Sequence, residues 1–179
     1  MGIKIPLDVM MKISGKSKEE FENEEKVKEQ NKKNEQKERK KIEELNKINI
    51  NELYNKYDLY ISNKKINSEY FSELSKDLVY KFKSENLTST KLREYYNSIN
   101  NLYNSYNDEN ELKINLFMIL AKANYDYGRK KIATKSFINF LEINISNLFN
   151  KDFEKENFTI FKKHFETVIA YAKGVLSDK

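Results

Sequence analysis

Cysteine is absent from this chain. That excludes disulfides, thiolate metal sites and thiol catalysis, and it fits a reducing compartment. Proline occurs once, at Pro6, and glycine four times, so little in the sequence breaks a helix. No run approaches the roughly 20 apolar residues that span a bilayer. The start, Met1 to Met11, carries Lys4, Pro6 and Asp8 among its apolar residues, and no small-residue cleavage site follows. A secretory signal is therefore not expected, and the cytoplasm is. Histidine occurs once, at His164, beside Phe161 and Phe165, where packing is the ordinary role. There is no H-x-x-x-H pair, Gly-rich phosphate loop or nucleophile elbow. The expectation is a protein without catalytic activity, metal or cofactor.

What the sequence does contain is helix-forming. Lys, Glu, Asn, Leu and Ile dominate, which favours an all-α fold. At 179 residues and 21.4 kDa one domain with an appendage suits the length. The net charge of +5 and pI near 9.0 permit an acidic partner such as nucleic acid without demanding one. Residues 1–50 hold 13 basic and 11 acidic side chains. Neither half is a basic tail, so a nucleic-acid surface would depend on where charges sit.

Four regions follow along the chain: an N-terminal segment at 1–13, a charged linker or extended helix at 14–50, a variable helix and loop at 51–65, and a bundle domain at 66–179. In the first, Ile3, Ile5, Leu7 and Val9 alternate with other residues, as in a short extended or disordered start. From Lys28 to Lys41 there is no aliphatic or aromatic side chain, so this stretch has nothing to bury and lacks a coiled-coil seam. Lys16 to Lys47 reads as a solvated linker, transiently helical. A ragged helix then runs through Leu53 and Tyr57, and Asn63 to Lys65 marks a loop. Ser68 is placed to cap a helix that buries Phe71, Leu74, Leu78 and Phe82. Leu92, Tyr95, Tyr96, Ile99, Leu102, Tyr103 and Tyr106 recur at three- and four-residue steps and line one helical face. Asp108 and Glu111 form a helix start, followed by the apolar run Leu112 to Ala123. Two more stripes, around Phe137 to Leu148 and Phe158 to Leu176, complete a compact bundle of about five helices.

The chemistry then rests on cations and tyrosines. Tyr95, Tyr96, Tyr103 and Tyr106 can stack on bases or form a core boundary with buried rings and wet hydroxyls. Lys91 and Arg93 lie in a first helical turn, where the dipole disfavours cations. An incoming phosphate would justify them, and the amides and hydroxyls of Thr88 to Thr90 would also welcome it. Ordinary solvent-exposed cations are the alternative. Arg129, Lys130 and Lys131 follow Gly128, either as favourable charge at a helix C-terminus or as a second phosphate contact. An antiparallel hairpin of the two central helices would bring Lys91 and Arg129 to one end of the bundle as one basic rim, with Lys91, Arg93 and Arg129 protruding together from a single edge unpaired with acids.

The entry Thr88-Ser89-Thr90-Lys91-Leu92-Arg93, the helix ending in Asn101-Leu102-Tyr103, the segment from Leu120 to Tyr125-Asp126-Tyr127-Gly128-Arg129 and the terminal stretch His164 to Lys173 together resemble the small subunit of type III-A CRISPR effector (Csm) complexes. The resemblance covers about residues 66–176. It implies a non-catalytic helical subunit that stacks in copies along a ribonucleoprotein filament, beside backbone and large subunits, and contacts guide RNA paired with target RNA through the phosphate backbone in antiviral defence. It assigns RNA contacts to Lys91, Arg93 and Arg129; charge alone adds Lys130 and Lys131. No membrane is implied. A type III-B small subunit and a helical protein–protein adaptor without nucleic acid are the other readings.

Overall fold

A computed structural model describes residues 15, 17–57, 60–61, 65–129, 133–149 and 155–178. The expected N-terminal segment at 1–13 and the candidates Lys130 and Lys131 lie outside them. Seven α-helices dominate the described residues: α1 Lys18–Lys47, α2 Ile50–Lys56, α3 Glu73–Ser84, α4 Ser89–Ser105, α5 Glu109–Gly128, α6 Lys135–Leu148 and α7 Lys155–Ala172. The all-α expectation holds, with five of these helices after residue 68. A two-residue antiparallel ladder, β1 Tyr60–Ile61 with β2 Lys65–Ile66, pairs Tyr60 with Ile66 and Ile61 with Lys65.

The chain divides into two units, Met1–Lys41 and Ile42–Lys179. In the first, Ser17 and Glu20 start α1 reciprocally: the Ser17 amide donates to Glu20 Oε2 at 2.7 Å and the Glu20 amide to Ser17 Oγ at 3.3 Å. This is a capping box. Glu19 and Glu20 in the first turn also suit the positive end of the helix dipole.

The second unit holds the core, and it draws on residues before 66. Leu45, Ile50, Leu53 and Tyr57 are buried with the bundle side chains. Helix α2 begins with its own capping box, Asn49 with Glu52. The start of α3 differs from the sequence expectation. Asn67, not Ser68, accepts an amide hydrogen bond, and residues Ser68–Phe71 form a 3-10 turn before α3. Helix α7 packs on both α3 and α4, and α5 packs on α6 and α4. At the centre, Phe140 meets Phe82, Phe137, Phe161 and Phe165 at ring distances of 5.1–6.2 Å. Side chains also cover helix ends. Buried Lys81 donates to the carbonyls of Leu45 and Ile48 at 2.8 and 2.7 Å, which satisfies acceptors left over where α1 stops. Glu85 accepts from the Ser136 amide at 3.0 Å at the start of α6.

Candidate nucleic-acid interface

The central pair is a hairpin. Thr88 caps α4 by accepting from the Lys91 amide at 3.3 Å, and Asp108 caps α5 by accepting from the Glu111 amide at 2.9 Å. The short connection between Ser105 and Glu109 turns the chain back, so the start of α4 meets the end of α5. Lys91 Nζ lies 2.7 Å from Glu94 and 3.7 Å from Asp126, Lys122 Nζ is 2.7 Å from Glu94, and the Tyr95 hydroxyl donates to Asp126 at 2.8 Å. Lys91, Glu94, Lys122 and Asp126 thus alternate in sign and neutralise one another.

This arrangement corrects one expectation and divides another. Lys91 is at the shared end of the hairpin, but it is paired with carboxylates and not a free cation. Hydrogen bonding to Glu94 raises its pKa further. Arg93 is two residues on, about 200° around the helix, so it does not point with Lys91. It is exposed and makes no hydrogen bond or ion pair with a described residue. Arg129 is the C-cap of α5 and has no carboxylate partner among the described residues. Its guanidinium donates to the Tyr125 hydroxyl at 2.6 Å.

The hydroxyl-rich entry to α4 is also occupied. The Ser89 amide donates to the Ser177 carbonyl at 2.9 Å, the Ser89 hydroxyl donates to the Asp178 carboxylate, and the Thr90 hydroxyl donates to the Asp178 carbonyl at 2.8 Å. Ser177 and Asp178 thus take the Ser89 amide and the Ser89 and Thr90 hydroxyls, groups expected to receive a phosphate. No local pattern near residue 90 announces a partner 88 residues away.

The tyrosines divide by depth. Tyr95 is buried, and desolvation raises its hydroxyl pKa, with the Asp126 hydrogen bond adding to the shift. Tyr96 packs edge-on against Phe165, Tyr103 against Phe158, and Tyr106 is tilted on Phe158. They line the edge of the core.

His164 is wholly buried in a satisfied polar chain. Asn144 Nδ2 donates to the Tyr54 oxygen at 2.7 Å, the Tyr54 hydroxyl lies 3.2 Å from His164 Nε2, and His164 Nδ1 lies 3.2 Å from Ser75 Oγ, which donates to the Tyr70 carbonyl at 3.2 Å. Each hydroxyl has one proton to give, so the order assigns the imidazole proton to Nδ1 and leaves Nε2 accepting from Tyr54. Burial pushes the His164 pKa down to about 3, in keeping with a neutral ring. Among the described residues, no group of His, Cys, Asp and Glu could hold a metal ion, and no helix is long and apolar enough to cross a membrane.

The family model described as Csm2 Type III-A matches residues 65–176, more than half of the chain. The chain belongs to the Csm2 family. It is thereby a small subunit of the type III-A Csm complex. No curated protein and no solved structure gave a match. The Csm2 match spans α3 to α7, with Lys91, Arg93 and Arg129, and leaves out α1 and α2.

Within the matched Csm2 region, α5 departs from the pattern of its neighbours. Its apolar run was expected in the core, but only Leu112, Leu116 and Ala123 are buried. Ile114, Phe117 and Met118 are 61, 42 and 63% exposed. At spacings of three and four they share one outward face with Ala121 and Tyr125, both exposed. The run is apolar almost all round, and periodicity alone does not say which side the core takes.

Proposed function

We propose that this Csm2 chain is a non-catalytic, RNA-contacting subunit of its type III-A complex. Copies stack along the ribonucleoprotein, beside its backbone and large subunits in the cytoplasm, and grip guide RNA paired with target RNA through phosphates for antiviral defence. Support for the RNA contact comes from Arg93 and Arg129: both are exposed within the family-matched region and neither is spent on a carboxylate among the described residues. Guanidinium groups in that state suit phosphate oxygens. Lys130 and Lys131 adjoin Arg129 in sequence and add charge there. Lys91 has a different part, ordering the joint of α4 and α5 through Glu94 and Asp126. Base pairing between guide and target reads the sequence, so a few cations per copy suffice, and repeated copies multiply a weak contact.

The outward face of α5 supports stacking, since contiguous exposed apolar side chains mark contact surfaces. Met118→Lys should reduce self-association of the full chain in sedimentation velocity at unchanged melting temperature; undiminished association would remove α5 from the stacking contact. Filter binding of the full chain to a guide–target RNA duplex at rising salt tests the RNA reading. Binding with a negative slope of log affinity against log salt is expected. A protein–protein adaptor would show neither binding nor slope.

A further inference from the structure

The net charge of the protein is concentrated in one place. Averaged over α1 the charges cancel, ten of each sign, but they are not mixed. Between Lys18 and Glu25 stand five carboxylates and one lysine. Between Lys26 and Lys41 stand eight cations against only Glu29, Glu35 and Glu38. These 16 residues therefore carry +5, the whole excess of the chain, and the remaining residues hold 25 charges of each sign. Seven of the eight cations are exposed, and Lys41 is half-buried. As helix, the stretch is about 24 Å long.

We infer that the basic stretch Lys26 to Lys41 of α1 is a second, sequence-independent contact for an RNA phosphate backbone, outside the family-matched region. The composition of the surface selects the partner. Val27 is the sole apolar side chain on it. A protein partner would need buried apolar or aromatic anchors, and a membrane would need an apolar helix face to insert. A phosphate backbone needs neither: released counterions supply the driving force, in proportion to the cations engaged. The acidic first turns stabilise the helix through its dipole, and Gln, Asn and Lys keep it solvated, so the cations are held without a core on two sides of the helix, Lys26, Lys33, Lys37, Lys40 and Lys41 on one and Lys28, Lys32 and Arg39 on the other.

This contact is separate from the Arg93 and Arg129 reading, and one experiment tests both. Full-length protein is titrated by anisotropy with a labelled guide–target RNA duplex from low to moderate salt, and separately with poly-L-glutamate. The wild type is compared with a quintuple variant, Lys32→Gln, Lys33→Gln, Lys37→Gln, Arg39→Gln and Lys40→Gln, and with Arg93→Ala/Arg129→Ala. Glutamine keeps helix propensity, and circular dichroism checks that helicity is retained. The quintuple variant should bind duplex at least about tenfold more weakly at low salt, with a salt slope shallower by about 3, near one for each of Lys33, Lys37 and Lys40 on the shared side of the helix. An unchanged slope in the quintuple variant with a reduced slope in the arginine variant would overturn the α1 contact and keep the other. Loss of poly-L-glutamate binding with intact RNA binding would overturn it in favour of an acidic protein partner. Absence of RNA binding by the wild type would overturn both.

Discussion

The stretch Lys26 to Lys41 and the bundle from Ile42 onward are both helical, for different reasons. The first has a helix start made by Ser17 and Glu20, strong helix formers throughout and almost nothing to bury. The second owes its helices to stripes that meet: Leu74, Leu78, Leu92, Ile99, Leu141 and Val168 have no exposed surface worth counting. Isolated helices are marginal in water, so burial decides the stability of the bundle, whereas capping and helix propensity carry the stretch. The comparison teaches a division of labour. One region spends its residues on packing and keeps its charges close to balance, and the other spends its residues on charge.

The sharpest way to break that division is to remove a ring from the bundle centre. Phe140→Ala should cost about 3–5 kcal/mol in urea unfolding, because four phenylalanines and His164 surround it. A loss below about 1 kcal/mol would mean that packing is not what holds the bundle.

The next effect concerns acid. His164 has a folded pKa near 3, below its value in an unfolded chain. Between those two values the unfolded state binds the proton and the folded state does not, so stability is full above about pH 6.5 and falls as the pH drops. About 2 kcal/mol should be lost between about pH 7 and pH 5. Urea titrations at both pH values check this, and His164→Gln should flatten the His-linked part of the slope whatever it does to stability at neutral pH. A slope unchanged by that substitution would show that the ring is not excluded from protonation.

The smallest effect is a predicted null. The five glutamine substitutions between Lys32 and Lys40 should leave the urea-unfolding stability of the bundle unchanged to within about 0.5 kcal/mol, as exposed positions usually do. A larger shift would mean that the charged stretch supports the bundle.

Local signals in the sequence were readable and tertiary ones were not. The stripe from Leu92 to Tyr106 and the cap at Asp108 follow from spacing and side-chain chemistry alone. Glu94 lies three residues after Lys91, so half of that ion pair was also legible. Asp126, the other half, arrives only when the hairpin closes, as does Asp178 on Ser89. Lys81 and Glu85 look like surface charges in sequence, yet one is buried on carbonyls of the α1 end and the other accepts from the start of α6. Arg93 needed only helical geometry: two residues from Lys91 is the wrong side of the helix for a shared rim. Averaging charge over the whole of α1 hid the separation of acids from bases within it.

The central claim is that Arg93 and Arg129, which no described carboxylate holds, touch RNA phosphates, and that Lys91 does not. The direct measurement is the salt dependence of guide–target duplex binding by the full-length Arg93→Ala/Arg129→Ala protein beside Lys91→Ala. The account predicts weaker binding and a slope shallower by about two in the double variant, at unchanged helicity, with a slope like wild type in Lys91→Ala. A wild-type slope in the arginine variant, or an equal loss from Lys91→Ala, would contradict it.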